Sequence, residues 1–174
     1  MTPADLPAVP TVDPGAWLPV YWSGIPRELH DLPRWALWRA IPQDSGKPKK
    51  LPIQVGADRP ASSTDPATWA SFGDCWRAYR SGSFTGIVFA LGEGYAAIDL
   101  DDSRDPLTGA IDPWAAALAG RLASYTEVSP SGAGLHVLIR GRVPKGINTA
   151  IDGHRIEAYS SKRFLCMTGW AVAP

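Results

Sequence analysis

The sequence predicts an α+β domain, a sheet with helices on one face and the opposite face left to carry a site. Three observations predict it. Short apolar or alternating stretches of strand length recur along the chain, punctuated by Gly, Pro and Ser. Two longer stretches, 67–80 and 114–122, each follow a proline that can open a helix. The 174 residues, 45% hydrophobic and 20% charged, suffice for one domain with a proper core.

Residues 1–34 carry Pro3, Pro7, Pro10, Pro14, Pro19, Pro26 and Pro33 and are predicted to be extended or irregular, beginning as a mobile tail. The folded core is assigned to 35–174. Its first strand is 35–40, with Trp35 and Trp38 three residues apart. A polar loop over 43–59 holds Lys47, Lys49 and Lys50 and includes a short extended piece at 51–55. Ser63-Thr64-Asp65-Pro66 reads as a helix start, a capping side chain ahead of proline in the first turn. The helix is predicted over 67–80, with Trp69, Phe72, Trp76 and Tyr79 as a core-facing stripe. Ser81-Gly82-Ser83 breaks it. A strand at 86–91 and another at 95–101, joined by Gly92-Glu93-Gly94, are predicted to pair as a hairpin. Pro113 opens the second helix over 114–122. Strands at 125–129, 135–140, 155–159 and 164–168 complete the sheet.

Seventeen Lys+Arg balance seventeen Asp+Glu, which argues against a highly basic nucleic-acid coat protein. The charges are nevertheless segregated. From Glu93 to Glu127 seven acids face two arginines, and from Arg140 to Arg163 six basic residues face two acids. An acidic centre beside a basic band suits a metal site that also handles a polyanion. Cys75 and Cys166 lack zinc-type spacing and read as reduced, buried thiols of a cytosolic protein. No apolar run has membrane-spanning length, and the N-terminus lacks signal-peptide character, so no membrane partner is predicted. The eight tryptophans serve mainly packing, with one or two available to stack on bases.

The most informative stretch is Tyr95-Ala96-Ala97-Ile98-Asp99-Leu100-Asp101-Asp102. Alternation along a strand projects Asp99 and Asp101 together while Ile98 and Leu100 pack the other way. Like charges that close repel, and a cation between them removes the repulsion. Oxygen donors suit Mg²⁺ or Mn²⁺, which commonly work with phosphates. A strand running into a solvated acidic turn gives the same pattern. Asp102 falls on the opposite side of the alternation and is set aside.

Ser129-Pro130-Ser131-Gly132-Ala133-Gly134-Leu135-His136 is the second stretch. Its serines and glycines can form a loop whose backbone N–H groups point at an anion, and His136 opens the strand beyond it. A Gly-Ser turn beside a partly buried histidine would read alike. In the third, Arg155, Glu157 and Tyr159 share one face of a strand, where an unpaired Glu157 would be costly; Arg155 or another base, or a metal, must neutralise it. His154 is placed in a turn. The basic groups Lys47/Lys49/Lys50, Arg140/Arg142/Lys145 and Lys162/Arg163 can hold a triphosphate or a nucleic-acid backbone, or simply be solvated.

Taken together, Asp-Leu-Asp, Ser-Gly-Ala-Gly-Leu-His and Ile-Glu-Ala-Tyr resemble the archaeo-eukaryotic primase superfamily, in its primase–polymerase branch of phages, plasmids and mobile elements. The resemblance covers roughly residues 35–170. It implies an RRM-like antiparallel catalytic sheet with flanking helices plus a small α/β N-terminal subdomain. It implies that Asp99, Asp101 and Glu157 bind two Mg²⁺ or Mn²⁺ ions and that His136 contacts the phosphates of a nucleoside triphosphate. Ser129, Ser131, Gly132 and Gly134 would line that pocket, assisted by Lys47, Lys50, Arg140 or Lys162. The implied activity is template-dependent nucleotidyl transfer, making or extending primers on single-stranded DNA in the cytoplasm of a bacterial or archaeal host. An accessory helical or helicase domain outside the fragment would complete the protein. Two features depart from the pattern: the third acid is Glu157 where Asp is usual, and no zinc-binding or helicase motif is present. A metal-dependent nuclease and a non-catalytic single-strand-binding module are the rival expectations.

Overall fold

The computed structural model describes residues 6–13, 15–44, 46, 48–151 and 153–173; Lys47 and the first five residues lie outside the described residues. In chain order the elements are α1 (Arg27–His30), β1 (Trp35–Ile41), β2 (Lys49–Ile53), α2 (Phe72–Tyr79), β3 (Gly86–Ala90), β4 (Tyr95–Leu100), α3 (Pro113–Leu122), β5 (Tyr125–Val128), β6 (Leu135–Arg140), β7 (Ile147–Ile151), β8 (His154–Tyr159) and β9 (Phe164–Met167). The fold is mixed α+β, as expected, and is built on two antiparallel sheets. The first runs β2-β1-β3-β9 and the second β5-β6-β4-β8-β7.

Alternation assigns each sheet its faces. Trp35, Leu37, Ile87, Phe89 and Leu165 of the first sheet share one apolar cluster with Phe72 and Cys75 of α2 and with Tyr95, Ala97 and Leu138 of the second sheet. The other face of the second sheet, Leu100, Val128, Leu135 and Val137, packs on Ala115 and Ala119 of α3. The second sheet therefore has a helix behind it and the first sheet in front, so its site face is half covered. The N-terminal segment runs over both layers: Leu18 N–H donates to the Pro130 carbonyl (2.8 Å) and Tyr21 N–H to the Thr168 carbonyl (2.7 Å). Val12 and Leu18 are buried in one cluster and Val20, Ile25 and Leu29 in the other. Among the described residues no helix is long and apolar enough to cross a membrane.

Four expectations are corrected. The 86–91 and 95–101 strands do not form a hairpin. β3 is buried at every position and takes β1 and β9 as its neighbours, leaving no free edge for β4. Arg34 caps the end of β3 through the Ala90 and Leu91 carbonyls (2.9 and 3.2 Å), and the chain crosses to the other sheet. The helix expected over 67–80 begins only at Phe72. Asp65 and Pro66 open a short 3-10 turn, Pro66–Thr68, after which Ala70 is pinned to Trp35 by a β-bridge. Ser71 then caps α2 by accepting from Asp74 N–H, so Trp69 lies outside the helix. β7 was not foreseen; it pairs with β8 from Ile147↔Ala158 to Ile151↔His154. His154 is accordingly a strand residue, stacked on Trp114 with ring centroids 4.4 Å apart.

Candidate active site

β4 lies between β6 and β8, and the register sets Asp99 opposite His136 on one side and Glu157 on the other. Directly opposed residues hold their Cβ atoms within about 4.5–5.5 Å, so three motifs far apart in sequence meet at one point. Asp101 follows the last residue of β4. The side chains of Asp99 and Asp101 are 30% and 32% exposed, at the mouth of a cleft rather than in its core. One cavity of about 190 Å³ is lined by Lys50, Asp99, His136, Glu157, Tyr159 and Arg163, with apolar residues beneath. A second, of about 230 Å³, is lined by Lys50, Asp99, Asp101, Asp102, Ser129, Ser131, Gly134 and His136. Lys50, Asp99 and His136 belong to both. Because Lys50 comes from β2, the cleft is walled by both sheets.

His136 is 3% exposed, with Nε2 3.7 Å from Asp99 and Nδ1 3.5 Å from Glu127. Burial pushes the imidazole pKa down, but the Asp99 carboxylate, followed by Glu127, outweighs it and holds the ring above its ordinary 6.5. Glu157 accepts hydrogen bonds from Tyr159, Asn148 (2.9 Å) and Arg155 (2.6 Å). Burial works to raise its pKa, and the bonds from Tyr159 and Arg155 overcome this and lower it. The Arg155 guanidinium also lies 3.4 Å from Asp101, so it joins two of the three acids.

The Ser-Gly loop is built differently from the expected anion cradle. Gly132 N–H donates to the Ser129 carbonyl (2.9 Å), Gly134 N–H to Ser129 Oγ (3.1 Å) and Ala133 N–H to Ser131 Oγ (3.4 Å). Three of the loop's donors thus close on the loop itself, the Ser129 and Ser131 hydroxyls lie 3.2 Å from each other, and both serines line the cavity. Arg104, buried behind, fastens the loop through the Gly132 carbonyl (2.7 Å). A Cβ at Gly134 would sit 2.7 Å from the Leu100 carbonyl oxygen, so only glycine lets the loop lie against the end of β4.

Of the residues singled out from sequence, the cleft gathers Asp99, Asp101, Glu157, His136, Ser129, Ser131, Gly134 and Lys50. Gly132 faces Val12 of the N-terminal segment. Arg140 stands at the Tyr95 end of β6, four residues along the strand from the His136↔Asp99 pair, roughly 13 Å at strand rise. There it pairs with Glu28 at 2.8 Å. Lys162 is exposed in the β8–β9 turn, and its neighbour Arg163 enters the cleft with its guanidinium 4.6 Å over the Tyr159 ring. Asp102, set aside by alternation, also lines the cleft. β4 ends before it and its φ of +49° redirects the chain. Arg155, the candidate neutraliser of Glu157 on its own strand, does pair with it, whereas Glu127 and Tyr159 are site residues that the sequence reading misses.

Asp99 and Asp101 offer oxygen donors on one side of the cleft, which fits a Mg²⁺ or Mn²⁺ ion that completes its shell with phosphate oxygens. Among the described residues no group of three or more His, Cys, Asp or Glu side chains is arranged to hold a metal ion. Arg155 supplies the positive charge between Asp101 and Glu157 instead.

No family model matches the chain. It is similar to the DNA primase-polymerase of Nitratiruptor phage NrS-1, at 32% identity over 148 residues, covering 82% of this chain and 20% of that protein. The chain thus spans about a fifth of the length of this relative. At that coarse level, the similarity agrees with the family that the three motifs resemble.

Proposed function

We propose that this chain is the catalytic core of a primase–polymerase, a nucleotidyl transferase that makes or extends primers on a single-stranded DNA template. One observation carries it. Acids suited to divalent cations (Asp99 and Asp101) share a single opening with groups suited to phosphate (His136 and Lys50), with Ser129 and Ser131 in its lining. Two cations held by Asp99, Asp101 and, once freed from Arg155, Glu157 would lower the pKa of a primer 3′-hydroxyl and offset charge on the departing pyrophosphate. His136 Nε2 donates to a phosphate oxygen of the incoming nucleotide. Lys50 and Arg163, on the first-sheet side, balance the charge of the triphosphate. The second sheet, with α3 crossing from β4 to β5 and the order β5-β6-β4-β8, supports an RRM-like catalytic unit, with β7 where a second helix would stand. The first sheet and α2 take the part of the smaller N-terminal unit. Since the relative is much longer, an accessory region outside these 174 residues belongs to the proposal.

The test is incorporation of labelled nucleotides on a primed single-stranded template with Mn²⁺. Asp101→Ala is expected to lower the rate on the order of 10²–10³-fold with the melting temperature nearly unchanged. Shortened strands without new product would overturn the proposal in favour of a nuclease.

A further inference from the structure

We propose that Glu127 is a positioning residue for the nucleotide: it accepts the Nδ1 proton of His136 from behind and so turns Nε2 into the cleft. This rests on the cleft being a triphosphate site.

Glu127 is completely buried in β5, directly opposite His136 in the β5–β6 register. A buried carboxylate is expensive unless its lone pairs are used. Here Thr168 N–H donates to both oxygens (3.1 Å each), Gly169 N–H to Oε2 (2.7 Å) and the Tyr125 hydroxyl to Oε2 (2.8 Å). Oε2 is thereby saturated. Oε1 has only a shared N–H and faces His136 Nδ1 at 3.5 Å, longer than the usual 2.7–3.2 Å of an N–H···O bond.

Joining the sheets does not by itself require this charge. The Thr168 hydroxyl donates to the Val128 carbonyl (2.7 Å) and Val128 N–H to the Trp170 carbonyl (2.9 Å), so the segment after β9 is already tied to β5. What the carboxylate adds is an acceptor aimed at one ring nitrogen. An imidazole whose Nδ1–H is held presents Nε2 on the opposite edge, the edge that looks toward Asp99 and the cavity. A carboxylate behind a histidine orients the ring in the same way in metal sites, where its loss costs about 10–100-fold in function.

Four proteins test the inference: wild type, Glu127→Gln, His136→Gln and the double variant, each assayed for nucleotide KM and kcat in primer extension. Glu127→Gln is expected to raise the nucleotide KM about tenfold with a smaller change in kcat. In the His136→Gln background the same change should add less than about twofold, because its effect runs through the ring. Losses that multiply in the double variant would overturn the role of Glu127 while leaving the cleft as a nucleotide site. Wild-type protein that incorporates nothing would overturn both. A measurement on the unmodified protein guards against misfolded variants: long-range ¹H–¹⁵N spectra in metal-free buffer, at a pH where the ring is neutral, should find its proton on His136 Nδ1. A bare Nδ1 would overturn the contact.

Discussion

At the scale of single residues, the cleft is a set of charges that cannot all be carried alone. Asp99, Asp101 and Glu157 are close, and the protein balances them with its own cations: Arg155 between Asp101 and Glu157, and the imidazole of His136 beside Asp99. The histidine has a consequence for stability. Its folded pKa is raised above 6.5, so folding favours the charged ring. The contribution is complete below the unfolded value and is lost as pH rises through the raised one. In chelator, the stability gap between wild type and His136→Gln, measured by urea unfolding, should narrow as pH rises above about 6.5. A gap that widens with pH would mean that the ring is buried neutral. Asp99, His136 and Glu157 were legible in the sequence because each belongs to a short pattern with its own alternation. Glu127 was not, because nothing in Tyr-Thr-Glu-Val says that a histidine nine residues later will stand opposite.

At the scale of elements, local signals were strongest where one cap or one period decides. Pro113 opens α3, and the alternation of β4, β6 and β8 assigns their faces. The misplaced start of α2 teaches the opposite. Two capping signals lie in series, Asp65-Pro66 and Ser71-x-x-Asp74, and a β-bridge from Ala70 to Trp35 selects the second. Ser71 both accepts from Asp74 N–H (3.1 Å) and donates to its carboxylate (2.6 Å). Ser71→Ala is therefore expected to cost about 1 kcal/mol in urea unfolding while leaving nucleotide incorporation at the wild-type rate. The false hairpin has a similar cause: a glycine-rich turn between two apolar strands is a valid hairpin signal unless both edges of one strand are already taken.

At the scale of the whole molecule, the two sheets are tied together by the N-terminal segment and the chain after β9. These cross where Gly24 meets Gly169. A Cβ on Gly169 would lie 1.9 Å from the Tyr21 carbonyl oxygen, and its φ of +75° already disfavours a side chain. Gly169 N–H is also one of the donors to Glu127, so this crossing is continuous with the support of His136. Gly169→Ala should cost more than about 2 kcal/mol, read as a lowered thermal midpoint. An unchanged midpoint would show that the crossing can part without disturbing the fold.

The α+β class, the faces of the main strands and the three motifs are legible in the residues alone, since these depend on a period of two and on turn chemistry within a few residues. Folding in three dimensions sets β4 between β6 and β8, brings Lys50 and Arg163 to the cleft while Arg140 pairs with Glu28, and stands Glu127 behind His136. Strand neighbours are chosen by burial summed over both faces of a sheet and by contacts between distant segments. A strand's own residues carry that information only in part.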